Sequence, residues 1–154
     1  MSTRCQVVVR DSFGDEIMFY RHSDGYPEGA MPTLQKFMGW VRRGIIRDNA
    51  GQSSGWLILI GAQEYSTELE TVTWEQVPKD TVLEPNEKNK ISGWKCGAYE
   101  PAVKRHGNIE YLYVLDLKDK TIACYKTGFD GEGPVNDTLL FTDSETDPWT
   151  DKEE

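Results

Sequence analysis

The fold is decided by the stretch IEYLYVLDL at positions 109–117. Successive side chains of a strand point to opposite faces. One face of this stretch carries only apolar residues, and Leu112 and Val114 make the other face apolar as well. A strand that is apolar on both faces is typical of the centre of a sheet. We therefore predict a central strand at 109–117.

Strands are also predicted on both sides of this stretch along the chain. Residues 5–10 are short and β-branched, and the Asp, Ser and Gly of 11–15 favour a reversing turn into a return strand at 16–22. In the return strand, Ile17, Phe19 and Arg21 share one face. The turn 118–120 leads into a hairpin partner at 121–126. Further strands are predicted at 69–74 and 91–99, with loops at 78–89 and 128–133.

Two segments predict helices. From Pro32, which suits a first helical turn, apolar residues recur at helical spacing until the stop signal at 48–51. Their stripe comprises Leu34, Phe37, Met38, Val41 and Ile45. Ser53 and Ser54 are candidate caps of a second helix at 56–65, although 56–60 also fits a buried strand. The elements together predict an α+β fold: a mainly antiparallel sheet of about five strands with one or two helices packed on one face.

Length and charge set the domain organisation. The chain has 154 residues, which fits a single domain at 1–141. The remaining 142–154 contains six acids and one lysine, and we expect a flexible acidic tail. The formal net charge of −9 argues against direct nucleic-acid binding, which needs clustered bases. No stretch resembles a membrane span or a secretory signal, so we expect a cytoplasmic protein.

The cysteines and histidines predict neither a disulfide framework nor a metal site. Cys5, Cys96 and Cys124 are odd in number and widely spaced, and we expect them to be reduced and buried. The sequence places neither His22 nor His106 beside a cysteine. We expect no cofactor.

The first segment that could carry chemistry is 20–29, at the junction between a strand and a helix. Arginines there could bind a phosphate or carboxylate, and tyrosines could stack on a base. The candidate ligand-binding residues are Arg4, Tyr20, Arg21, His22, Asp24 and Tyr26. The alternative is that the glycines and prolines of the segment only make two tight turns.

The second segment runs from 94 to 111. Glu100 and Glu110 flank a loop with Lys104, Arg105 and His106, a set that could serve acid–base chemistry or metal binding. The spacing matches no metal motif, and a turn with solvated charges explains the same residues. Nucleophile elbows, zinc-protease motifs and phosphate-binding loops do not occur in the sequence. We therefore expect a protein that is not an enzyme.

Both segments resemble a group of small uncharacterised proteins from phages and bacteria. The resemblance rests on the motif Asp-Gly-Tyr-Pro-x-Gly, here at 24–29, and on His-Gly-(Asn/Asp)-Ile-Glu-Tyr, here at 106–111. It covers roughly 3–47 and 92–126. It implies a phage or mobile-element accessory protein in the host cytoplasm, and it assigns no role to any residue.

The leading hypothesis is an accessory protein that acts by binding and inhibits a host defence protein through an acidic surface. Acidic side chains can compete for a basic nucleic-acid groove, so the expected partner is a basic nucleic-acid-binding host protein. The candidate partner-binding residues are Glu100, Glu110, Asp143, Glu145, Asp147 and Trp149. The alternative is a protein that binds or sequesters a nucleotide at 20–29. Homo-oligomerisation stays open, and Arg42, Arg43 and Arg47 either complement a helix dipole or form a second binding patch.

Overall fold

The computed structural model describes residues 2–64, 98–129 and 133–151. It confirms the α+β fold. The sheet formed by these residues has six strands where the sequence predicted about five, and the strands at 100–102 and 134–143 were not predicted. The elements are β1 (Cys5–Arg10), β2 (Glu16–Arg21), α1 (Pro27–Arg42), α2 (Ala50–Glu64), β3 (Glu100–Ala102), β4 (Tyr111–Asp116), β5 (Thr121–Phe129) and β6 (Pro134–Asp143).

The strands form one sheet in the order β3-β2-β1-β4-β5-β6. Strand β1 pairs antiparallel with β2 and parallel with β4, and the other neighbours are antiparallel. Strand β4 thus lies inside the sheet, as its two apolar faces predicted. Helices α1 and α2 pack on one side, which we call the inner face, and we call the opposite side the outer face.

The core lies between the inner face and the two helices. The predicted stripe of α1 is buried from Leu34 to Val41, but Ile45 is 62% exposed. It lies beyond the helix, which ends at Arg42 and is followed by Gly44 with a φ of 71°. Cys5 and Cys124 belong to the core as expected, and burial raises the pKa of each thiol to about 12.

Both helices begin earlier than the sequence predicted. Helix α1 starts at Pro27, because proline is favourable at a first helical position, where its missing N–H has no helical acceptor. Helix α2 starts at Ala50 and includes the predicted caps Ser53 and Ser54 as buried helical residues. The cap is instead Asp11, whose carboxylate accepts the Ala50 N–H at 2.6 Å and has a lowered pKa for that reason.

The predicted boundary between domain and tail at 142 falls inside β6. The last residue of that strand, Asp143, is fully buried. Its carboxylate accepts hydrogen bonds from Arg42 at 2.9 Å, Gln35 at 2.9 Å and the Trp149 backbone N–H at 2.7 Å. The Trp149 ring stacks on Phe141 with 5.8 Å between centroids. The first part of the acidic segment is therefore attached to the fold.

Several predictions lie outside the described residues: the strand at 69–74, the loop at 78–89, Cys96 and the strand at 91–99 except for Ala98 and Tyr99. Within the described ranges, neither helix is both long and apolar enough to cross a membrane.

The buried ion pair gives a stability prediction. Asp143→Ala leaves Arg42, Gln35 and the Trp149 N–H without their acceptor, and breaking a buried pair in this way costs about 3–5 kcal/mol. Urea unfolding of the full chain measures the loss. The control is Asp147→Ala at an exposed position, with a change within about 0.5 kcal/mol. Equal stability of the two variants would contradict the assignment.

Candidate functional site

The outer face of the sheet is crossed by two rows of side chains that the strand register aligns. One row contains Glu100, Tyr20, Gln6, Leu112, Tyr125 and Leu139. The next contains Ala102, Met18, Val8, Val114, Ala123 and Thr142. The second row is apolar across five neighbouring strands, whereas the solvated face of an antiparallel sheet is usually polar.

Acidic residues lie around this apolar centre. Glu100 is exposed on β3, and Glu110 is exposed directly before β4. Because successive side chains alternate, Glu110 lies on the face opposite the inward-pointing Tyr111. At the opposite end of the strands, Glu16 is half-exposed and lies 3.5 Å from Arg10. Asp116 accepts the backbone N–H groups of the next turn. Two of the predicted partner-binding residues, Glu100 and Glu110, therefore belong to one surface.

The loop 103–108 crosses one end of the outer face. Gln6, fully buried, donates to the Lys104 carbonyl at 3.0 Å and accepts the His106 N–H at 2.8 Å. Arg105 then makes two hydrogen bonds to the carboxylate of Asp137 in β6, at 2.7 and 2.8 Å. The loop is thus attached to β1 and to the far edge of the sheet.

The structure brings together the two segments that the sequence singled out. The ring of Tyr20 stacks on His106 with 4.4 Å between centroids, and its hydroxyl lies 3.2 Å from Nδ1 of His22. Tyr20 is 8% exposed, so this contact holds the loop against β2. Within the described residues, no cluster of three His, Cys, Asp or Glu side chains is suited to a metal ion.

Arg21 lies on the inner face and is not the anion-binding fork that the sequence proposed. It is 1% exposed and donates to Glu64 at 3.0 and 2.5 Å and to the Ser23 carbonyl at 2.7 Å. Its guanidinium lies 5.1 Å from the ring centre of Tyr99, and burial raises the pKa of that tyrosine. The alternation along β2 placed Arg21 correctly, but no local pattern indicates Glu64, which is 43 positions away.

The other candidate ligand residues are also separated. Asp24 is exposed with a φ of 58°, and the Tyr26 hydroxyl donates to it at 3.4 Å. The Arg4 carbonyl accepts the Glu110 N–H at 2.8 Å. With Tyr20 and His22 on the outer face and Arg21 on the inner one, the six residues do not line one cavity.

The glycines of the 24–29 motif have a packing role. A Cβ on Gly25 would lie 2.8 Å from the Cβ of Cys5, and a Cβ on Gly29 would overlap the carbonyl oxygen of Asp24. The Gly25 carbonyl also accepts the buried Tyr113 hydroxyl at 2.8 Å. The motif therefore closes the start of α1 onto β1, which favours the tight-turn interpretation over a ligand loop.

The remaining partner-binding candidates divide in two. Asp143 does not fit the prediction of a partner-binding residue, because it is buried and bound to Arg42. Trp149 is anchored on Phe141. Glu145 and Asp147 are exposed. Of the basic cluster, Arg42 serves the fold through Asp143 and the Lys120 carbonyl, whereas Arg43 and Arg47 are exposed.

No family model, curated protein or solved structure matches this chain. The resemblance to the phage and bacterial group therefore stays a prediction.

The packing role of the motif glycines can be tested by two glycine-to-alanine substitutions in α1 that we expect to change stability in opposite directions. Gly29→Ala forces its Cβ into the Asp24 carbonyl, so we expect lower stability, by about 1–3 kcal/mol for overpacking. Gly39→Ala, in the same helix and with nothing near its Cβ, should raise stability by about 0.5–1 kcal/mol. Urea unfolding compares them. A stabilising Gly29→Ala would refute the packing role.

The loop attachment predicts a pH dependence. Hydrogen bonds from Arg105 hold the pKa of Asp137 below its usual range, with a smaller contribution from the Gly128 N–H. Because the folded pKa is depressed, the stabilisation is complete above the unfolded pKa of about 3.9 and disappears as pH falls through the folded value. Asp137→Asn should therefore be less stable than the wild type at pH 7, by up to about 1 kcal/mol, and equally stable well below pH 3.9. A pH-independent difference in unfolding free energy would contradict this.

Proposed function

We propose that this chain is a non-enzymatic binding protein that docks through its outer sheet face on a basic surface of a host protein. The observation that carries the proposal is the apolar row of the outer face, over which the described residues place no helix. On this face Met18, Leu112 and Val114 are partly exposed, whereas Val8 is buried. Apolar side chains that remain partly exposed inside a polar rim are typical of protein interaction sites.

The two parts of the surface have different energetic roles. Burying Met18, Leu112 and Val114 against a partner supplies affinity, at about 25 cal/mol for each Å² of apolar surface removed from water. The surrounding carboxylates of Glu100 and Glu110 steer association toward a positive surface. With a net charge of −9, the chain favours basic partners over acidic ones at long range.

A basic nucleic-acid groove on a host defence protein is the partner surface that fits this chemistry best. The carboxylates would occupy positions that phosphates otherwise take, so binding would inhibit the partner by competition. The nucleotide-binding alternative has less support, because Arg21 is saturated by Glu64 and Ser23 and lies on the opposite face of β2 from Tyr20.

The experiment is capture of partners from lysate of the host on the immobilised full chain. Proteins retained at about 50 mM NaCl should be released at about 500 mM, because salt screens exposed charges. The double variant Glu100→Lys/Glu110→Lys should lose them. Met18→Glu should also lose them, because it places a charge in the apolar row.

The matched control is Glu28→Lys/Asp48→Lys, which makes the same change in net charge at exposed positions of the helical layer. It should retain the same proteins. Thermal unfolding shows that all variants are folded. The proposal would be contradicted if the wild type and the Glu100→Lys/Glu110→Lys variant captured equal amounts of the same proteins, or if the amount captured did not depend on salt.

A further inference from the structure

The two edges of the described sheet are built differently. Strand β3 has three residues and includes the exposed Glu100 and Pro101. Shortness, charge and proline are three of the devices that stop an edge strand from pairing with another chain, and β-bulges are a fourth. Strand β6 has ten residues, about 34 Å of backbone, and its proline stands at its first position. Within the described residues, β6 has a strand neighbour only on its β5 side.

Apolar side chains are concentrated on β6. Val135 is 41% exposed, Leu139 53% and Leu140 48%. Leu139 is opposite Tyr125 and Phe141 is opposite the adjacent Cys124, so Leu140 is an extra residue at a bulge. The bulge thus leaves two consecutive leucines in contact with solvent near the middle of the strand. A second irregularity lies between the pairs Lys126–Thr138 and Gly128–Val135.

Both charged side chains of β6 form ion pairs within the fold, so neither is available to a partner. Asp137 pairs with both terminal nitrogens of Arg105, and the buried Asp143 pairs with Arg42. The lysines that typically guard an edge are absent from PVNDTLLFTD. On a chain of net charge −9, β6 is an electrically neutral strip.

We propose that β6 pairs antiparallel with β6 of a second copy of this chain. A two-fold axis near the middle of the strand would join two sheets into one of twelve strands and bring the leucines of the two copies together. Two-fold dimers are the commonest homo-oligomers, and their interface must be complementary to itself. A neutral apolar strand meets that requirement, because no like charges face each other.

Neutrality also favours a second copy over a basic extended segment of another protein. Such a segment would find no free carboxylate along β6, whereas it would find several around the outer face. The dimer leaves the outer face accessible and places two outer faces side by side. This proposal therefore stands independently of the proposed docking surface.

The experiment measures the molar mass of the full chain by light scattering after size exclusion, at several concentrations in about 50 mM and about 500 mM NaCl. We expect twice 17.6 kDa, with a larger dimer fraction at high salt, because salt screens the repulsion between two anionic copies. The docking surface predicts the opposite salt dependence, so failure of one proposal is distinguishable from failure of the other.

Leu139→Lys and Leu140→Lys, made separately, should each weaken the dimer at least about tenfold, because they bring like charges together across the axis. Both positions are exposed, and unchanged thermal unfolding shows that the variants fold. Ile45→Lys is the control: it adds the same charge at an exposed apolar residue of the helical layer and should remain dimeric.

A wild-type chain that is monomeric at both salt concentrations would overturn the proposal. A dimer that neither lysine variant weakens would also overturn it. So would a monomer whose captured host protein is lost on Leu140→Lys but retained by Met18→Glu, since a partner would then occupy the strand and not the outer face.

Discussion

The alternation of side chains along β4 is the constraint on which the rest of the structure depends. Tyr113 and Leu115 are fully buried on the inner face, and the same strand must present Leu112 and Val114 on the other side. Helices α1 and α2 both pack on the inner face. An apolar strand at the centre of the sheet therefore creates the core and the candidate binding surface at once.

Long-range polar contacts fix the geometry of this surface. Asp11 holds the start of α2, Glu64 at its end holds Arg21, and Arg42 at the end of α1 holds Asp143. The helical layer is thus attached to the sheet at several points. On the opposite side, Gln6 holds the crossing loop. The outer face is consequently presented by a sheet that is secured from both sides, which lowers the ordering cost of binding.

Much of the fold was predictable because it follows from local patterns. Periods of two and of about 3.6 residues located four of the six described strands and both helices, and the residues of β2 were assigned to the correct faces. Strands β3 and β6 were not predicted. The features that sequence reasoning missed depend on partners that are distant in the chain. Nothing near Ala50 indicates Asp11, nothing near Arg21 indicates Glu64, and the acidic composition of 142–154 conceals the burial of Asp143. For the same reason, the contact between Tyr20 and His106 was not foreseen.

The parallel pairing of β1 with β4 has a consequence for how the protein is made. Cys5 is opposite Tyr111, which comes much later in the chain, so β1 leaves the ribosome with β2 long before its other neighbour exists. Pairing between such distant segments is slow, and unpaired strands expose nascent chains to aggregation. Until β4 has been synthesised, the open edge of β1 presents unpaired backbone N–H and C=O groups to other chains. This interval is the one in which a chaperone would have most to contribute.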